Sequence, residues 1–176
     1  MGAESTVTIR LVTEGDVSEL YEFRLRALQE SPEAFGATYA EAVLRGVESY
    51  RRRLSQPLDE TFTLGAYASG TLVGMVAFFR ETGEKDRHKG YVVSMYVEPG
   101  YRGKGIGRAL VSAVITRARQ VPGVVQLQLA VVTSNVAARH LYACLGFVAY
   151  GLEPRALRME EDQYWDEELM VLRLDQ

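Results

Sequence analysis

Cysteine is nearly absent: Cys144 stands alone among 176 residues, which excludes an internal disulfide and suits a reducing, cytoplasmic setting. Two histidines and one cysteine offer no cluster with metal-ligand spacing, so no metal is expected. No run approaches the roughly 18 apolar residues of a membrane span, and the opening MGAESTVTIR lacks the apolar core of a signal peptide. Met1-Gly2 opens the myristoylation pattern, but Thr6 is its only further match and it carries little weight. Internal repeats and low-complexity segments are missing, and no linker divides the chain. What remains is 47% hydrophobic and 24% charged, the composition of one soluble globular domain over residues 1–176, with its core from about 7 to 174.

Negative charge is missing where it would matter most. Between Pro99 and Leu152 there is no Asp or Glu, while Arg102, Lys104, Arg108, Arg117, Arg119 and Arg139 are all positive. Twenty basic against 23 acidic side chains give the chain −3; without these six cations the remainder carries −9. A cationic segment in an acidic protein marks a site for an anionic ligand. Nucleic acid would favour a basic domain with groove-reading or stacking elements, so the acidic remainder speaks for a cationic acceptor instead.

The stretch from Met95 to Arg108, MYVEPGYRGKGIGR, organises the rest. An apolar run from Tyr91 to Val97 predicts a strand, Glu98-Pro99-Gly100 stops it, and an apolar-periodic helix follows the glycine-rich turn. The first N–H groups of a helix have no intrahelical partner and carry partial positive charge, so a strand, a glycine turn and a helix start make a phosphate site. Arg102, Lys104 and Arg108 add full charges around it. The P-loop pattern fails, because Ile106 and Gly107 stand where Lys and Ser/Thr belong. The dinucleotide fingerprint fails too, since Gly103 and Gly105 are followed by Arg108 at its third glycine position.

Taken in order, Val7 to Val12 alternates as a strand, and Thr13 or Asp16 caps a helix to about Gln29, with Glu19 completing a capping box. PEAFGATYAEA reads as loop or weak helix, and a short helix follows from Val47 to Leu54. Thr61–Ala68 and Leu72–Arg80 form a hairpin around Ser69-Gly70-Thr71. After the strand ending at Val97 comes a helix from Gly105 to Gln120, with Ile106, Ala109, Leu110, Ala113 and Val114 on one face. Val125 to Val131 alternates as a strand. Ser134 or Asn135 caps a helix carrying Ala138, Leu141, Tyr142 and Leu145, and Phe147–Tyr150 and Leu169–Leu174 close the chain as strands.

Arg102-x-x-Gly105-x-Gly107 after a strand ending Val97-x-Pro99 resembles the acetyl-CoA motif of the GNAT superfamily of N-acetyltransferases. Asn135-x-x-Ala138-x-x-x-Tyr142-x-x-x-Gly146-Phe147 matches that family's second signature. Pro32-Glu33-Ala34-Phe35-Gly36 and Glu153-Pro154-Arg155-Ala156-Leu157 resemble its large group of uncharacterised bacterial members. The resemblance implies an α/β fold with a mixed, mostly antiparallel sheet of about seven strands, the fourth and fifth splayed, flanked by about four helices. It implies acetyl-CoA as co-substrate and a primary amine as acceptor, a small molecule being expected, with a protein N-terminus or lysine as the alternative and a non-catalytic CoA-binding domain as the rival class. Cofactor binding would fall to Met95, Tyr96, Val97, Arg102, Gly103, Lys104, Gly105, Ile106, Gly107, Arg108, Asn135 and Ala138. Met95 to Val97 would serve through their backbone. Homodimers occur among such proteins, and no sequence feature here specifies one.

Acetyl transfer to an amine needs a proton for the departing thiolate and a base for the ammonium. Tyr142 matches the family's general acid, although its spacing alone also suits a core aromatic. Many relatives carry a strand-four glutamate as base, and Tyr91–Val97 contains no acidic residue. The base is therefore unassigned among Glu81, Glu84, His88 or a water chain. Cys144 reads as a buried, inert thiol with no base beside it, which favours direct attack in a ternary complex over an acetyl-cysteine intermediate.

Overall fold

The computed structural model describes residues 6–159 and 162–174; the Met1-Gly2 pair lies outside them. Seven strands form one sheet in the order β1-β2-β3-β4-β5-β7-β6. They are β1 (Val7–Leu11), β2 (Thr61–Ala68), β3 (Thr71–Arg80), β4 (Lys89–Val97), β5 (Gln126–Val132), β6 (Val148–Arg158) and β7 (Tyr164–Arg173). The helices are α1 (Val17–Glu30), α2 (Tyr39–Leu54), α3 (Ile106–Ala118) and α4 (Val136–Cys144). All neighbouring strands pair antiparallel except β4 and β5, which run parallel. No helix among the described residues is long and apolar enough to cross a membrane.

β2 and β3 are buried almost throughout, because both faces of the sheet are covered, and such strands read as continuous apolar runs. They meet at a two-residue turn in which Ser69 (φ 49°) and Gly70 (φ 85°) both take positive φ, the geometry that matches the strand twist. One face packs α3 and α4 through Ile106, Leu110, Val111, Val114, Ala118 and Tyr142. The other packs α1 and α2 through Leu20, Phe23, Ala27, Phe35, Ala42 and Tyr96. Burying one such aliphatic or aromatic side chain stabilises the fold by roughly 1.5–3 kcal/mol.

Four elements depart from the sequence reading. The α3 stripe includes Val111, Ile115 and Ala118, while Ala109 is exposed, so the buried face is rotated from the expected one. α2 starts at Tyr39, where Thr38 and Glu41 form a capping box, and it is kinked at Gly46 (φ 65°, ψ 172°). Glu19 completes no box: Asp16 accepts from the Thr13 N–H and hydroxyl and pairs with Arg10, while Glu19 accepts from the Leu72 N–H across the sheet. The last hairpin is far longer than Phe147–Tyr150 and Leu169–Leu174. Its outer strand β6 is largely solvated and interrupted by Gly151 and Pro154, so the apolar/polar alternation that marks a strand fades there.

Candidate acetyl-transfer site

The parallel pairing of β4 with β5 stops after three residue pairs, the last being Tyr91 with Gln128. Beyond that point β4 keeps only β3 and β5 keeps only β7. The two facing edges therefore retain unpaired backbone N–H and C=O groups, which can accept an amide-bearing chain as if it were an added strand. A bulge at Ser94 (φ 56°) breaks the β3–β4 register between Met75 and Ala77 and turns the backbone at the middle of the opening. A left-handed serine costs about 1 kcal/mol, a strain held by the surrounding sheet.

A cavity of about 1020 Å³ occupies the opening, walled by α1 and the turn after it, β4, the start of α3, β5, α4 and β7. At its α3 end Gly103 (φ 74°) and Gly105 (φ 78°) make the turn. The first backbone bond of the helix runs from the Ala109 N–H to the Gly105 carbonyl at 3.0 Å, so the N–H groups of Ile106, Gly107 and Arg108 precede it unpaired. A Cβ on Gly107 would stand 2.9 Å from Met95 Cε, so glycine there lets the helix start lie against β4. These donors, with Arg108 beside them, suit a diphosphate.

The residues named from the sequence gather around this cavity in part. Met95, Tyr96, Val97, Arg102, Gly103, Gly105, Ile106, Gly107, Arg108, Asn135, Ala138 and Tyr142 all line it, and Lys104 does not. Lys104 Nζ instead donates to the Gly100 carbonyl at 3.1 Å and lies over the Tyr101 ring. Arg102 bridges the turn: its Nε donates to the Val97 carbonyl at 2.8 Å and its Nη2 to Ser31 Oγ at 3.4 Å. Arg139 is committed to a bidentate pair with Glu168 at 2.8 and 3.0 Å, and Arg117 lies over Phe62, so the cationic stretch is only partly a ligand surface. Tyr96 is buried on the α1 side and its hydroxyl donates to the Glu30 carboxylate.

Asn135 caps α4, its side-chain oxygen accepting from the Ala138 N–H at 3.1 Å. Two turns on, Tyr142 is buried edge-to-face against Phe147, and burial pushes its hydroxyl up to about 12. That phenol keeps its proton at neutral pH and is a donor, not a base. Glu81, Glu84 and His88 do not line the cavity. Two carboxylates that the sequence reading missed do: Glu33 from the turn after α1, and Glu167 on β7. Burial, and next the charge of Glu153, raise the Glu167 carboxyl above its ordinary value. Its register opposite Val132 brings it to the opening, and that pairing is non-local, so no local motif announces it. Phe35 and Gly36 after α1 and Trp165 on β7 also line the cavity. Cys144 is exposed, contrary to its reading as buried, and its Sγ lies 3.4 Å from His140 Nε2, one helical turn back and away from the cavity.

The family model described as the acetyltransferase (GNAT) family matches residues 20–147. The chain belongs to that family. It is 37% identical over 111 residues to the N-alpha-acetyltransferase RimI of Mycobacterium tuberculosis, covering 63% of this chain and 66% of that protein. Across four of the curated relatives it matches, the chain spans from 24% to 66% of their length. A GNAT-family acetyltransferase from Streptococcus pneumoniae superposes with a TM-score of 0.86 at 28% identity, covering 96% of this chain and 99% of that one. The yncA structure from Salmonella typhimurium, solved with its cofactor acetyl-CoA, gives 0.82 at 25% identity over 98% and 96% of the two chains.

Proposed function

We propose that this GNAT protein transfers the acetyl group of acetyl-CoA to the primary amine of a small molecule, by direct attack within the cavity between β4 and β5. The observation that carries this reading is one opening that holds unpaired amides at the α3 start, a buried protonated phenol and a half-buried carboxylate. Acetyl-CoA bound there supplies an activated acyl carbon and a thiolate leaving group.

The chain's own residues handle charge and protons. The N–H groups of Ile106, Gly107 and Arg108, with the Arg108 guanidinium, neutralise phosphate. The Glu167 carboxylate takes the proton that the acceptor ammonium must lose before its nitrogen can attack. Its raised affinity for protons brings it closer to an amine's than an exposed glutamate's would be. As the C–S bond breaks, the Tyr142 hydroxyl donates its proton to the sulfur and is reprotonated by the second proton that the attacking nitrogen sheds on becoming an amide. Cys144 forms no acetyl intermediate, since it does not line the cavity. The similarity to RimI motivates a second reading in which the acceptor is a protein N-terminus.

The test is CoA thiol release from acetyl-CoA over a panel of amino acids, polyamines, aminoglycosides and short peptides, with the acetylated product identified by mass. A small amine consumed stoichiometrically supports the reading. Acetylation confined to peptides would replace it with the second.

A further inference from the structure

The acceptor wall holds a cation that the mechanism above does not use. Arg24, on α1, borders the cavity beside Ser94, Phe35 and Tyr96. Its guanidinium lies 4.0 Å from the centre of the Phe35 ring, and its Nη1 is shut off from solvent with no hydrogen-bond partner. Among the described residues no carboxylate bonds to it: the salt bridges of the chain all lie elsewhere. On its α2 side it meets the neutral Tyr50 hydroxyl, and its charged neighbours Arg45 and Arg53 add to the same sign, so no anion offsets it. Burial holds the guanidinium below its usual proton affinity, although arginine remains charged at any ordinary pH. A half-buried cation without a counter-charge is costly, and a ligand's anion would offset that cost.

That anion is not the cofactor's diphosphate. The phosphate-binding end is built on the face of the sheet that packs α3, whereas Phe35, which lies against the Arg24 guanidinium, belongs to the cluster on the α1 face. The cavity runs between these faces through the opening of β4 from β5, so Arg24 meets what enters from the acceptor side. The same wall region carries Glu33, and β7 carries Glu167, which complement an ammonium. One compact molecule bearing both charges answers this arrangement. We infer that Arg24 binds the carboxylate of the acceptor and that the acceptor is a free α-amino acid. A peptide N-terminus fits less well, because its α-carbon bears an amide where the carboxylate would be.

This inference rests on the acetyltransferase reading, and equilibrium binding separates the two. L-amino acids, their decarboxylated amines and their amides are titrated into the protein holding CoA, for the wild type, Arg24→Gln and Arg24→Lys. An amino acid is expected to bind on the order of 10²-fold more tightly than its decarboxylated amine or its amide. Arg24→Gln should erase that preference and leave acetyl-CoA affinity within about twofold. Because it removes an uncompensated half-buried charge, it should also raise the melting temperature by at least about 2 °C. Arg24→Lys, which keeps the charge and loses the fork, should retain part of the preference.

The inference falls if no amino acid outbinds its decarboxylated amine, or if the preference survives in Arg24→Gln. It also falls if Arg24→Gln loses the preference while melting lower and Arg24→Lys restores none of it, which marks a packing residue. Efficient acetylation of amines without a carboxylate, with amino acids ignored, would overturn it and leave the acetyltransferase reading standing. Failure of acetyl-CoA to bind would overturn that reading instead.

Discussion

The two ends of the cavity are built on different principles. At the α3 end, Arg102 to Arg108 are contiguous in sequence, and binding capacity comes mainly from backbone amides that the helix leaves unpaired. At the acceptor end, Arg24, Glu33 and Glu167 come from three separate elements, and the capacity lies in side-chain charges that the fold leaves half-buried. A backbone site is generic: any phosphate of the right size meets the same amides. A side-chain site is particular, because each charge selects a matching group. One end therefore suits a cofactor common to the family and the other a substrate peculiar to this chain.

The sharpest way to break that contrast is at Glu167. Glu167→Gln is expected to lower kcat by about 10³-fold with acetyl-CoA affinity unchanged, as steady-state rates and titration calorimetry would show. The same substitution carries a stability signature. Glu167 binds its proton more tightly folded than unfolded, so the unfolded chain holds fewer protons over the window just above the ordinary glutamate value. Stability contributed by the protonated group is then lost as pH rises through the raised value. The variant should melt higher than the wild type at neutral pH, and the gap should close on acidification.

Next in size is the generic end. Arg108→Glu should weaken acetyl-CoA binding by about 10–100-fold at low ionic strength and less in high salt, since the charge is exposed and screened. Lys104→Glu should do much less, because Lys104 lies off the cavity. Equal effects would mean that long-range charge, and not the geometry of the turn, holds the cofactor.

Gly105→Ala tests the turn itself. At φ 78° a Cβ costs about 1–2 kcal/mol, read as a lower urea midpoint, with open space around it so that strain and not a clash is responsible. Smallest is a control remote from both ends. Asp16→Ala removes the Arg10 pair and the bonds to Thr13, for about 1 kcal/mol, with turnover unchanged. Those partners hold the Asp16 carboxyl well below its usual value. The stability it contributes is therefore present above the ordinary aspartate value and lost as pH falls toward the depressed one, and the variant should lack that acid dependence.

The same contrast explains what the sequence disclosed. The α3 turn was legible because glycine spacing and the following helix are local, and Asn135 and Tyr142 were legible because they share one helix. The order of strands and helices followed from hydrophobic periodicity, down to the hairpin at Ser69-Gly70. Glu167 and Arg24 were not legible. The first reaches the cavity through pairing of β7 with β5, and the second through packing of α1 on the bulged β4; both are distant contacts without a local signature. Run composition misled at Arg139, where six uninterrupted cations suggested a ligand surface and one of them pairs with Glu168 instead. Cys144 misled similarly, because an apolar helix still has one face in solvent.

Tyr142 lines the cavity shared by both ends, and one substitution measures its part in the transfer. Tyr142→Phe removes a single oxygen from a buried ring and leaves its packing on Phe147 in place. Single-turnover acetyl transfer and acetyl-CoA titration would be run on both proteins with the best acceptor of the amine panel. Transfer is expected to slow by about 10²-fold, with acetyl-CoA affinity held within about twofold. Transfer at the wild-type rate would remove Tyr142 from the chemistry and contradict the account.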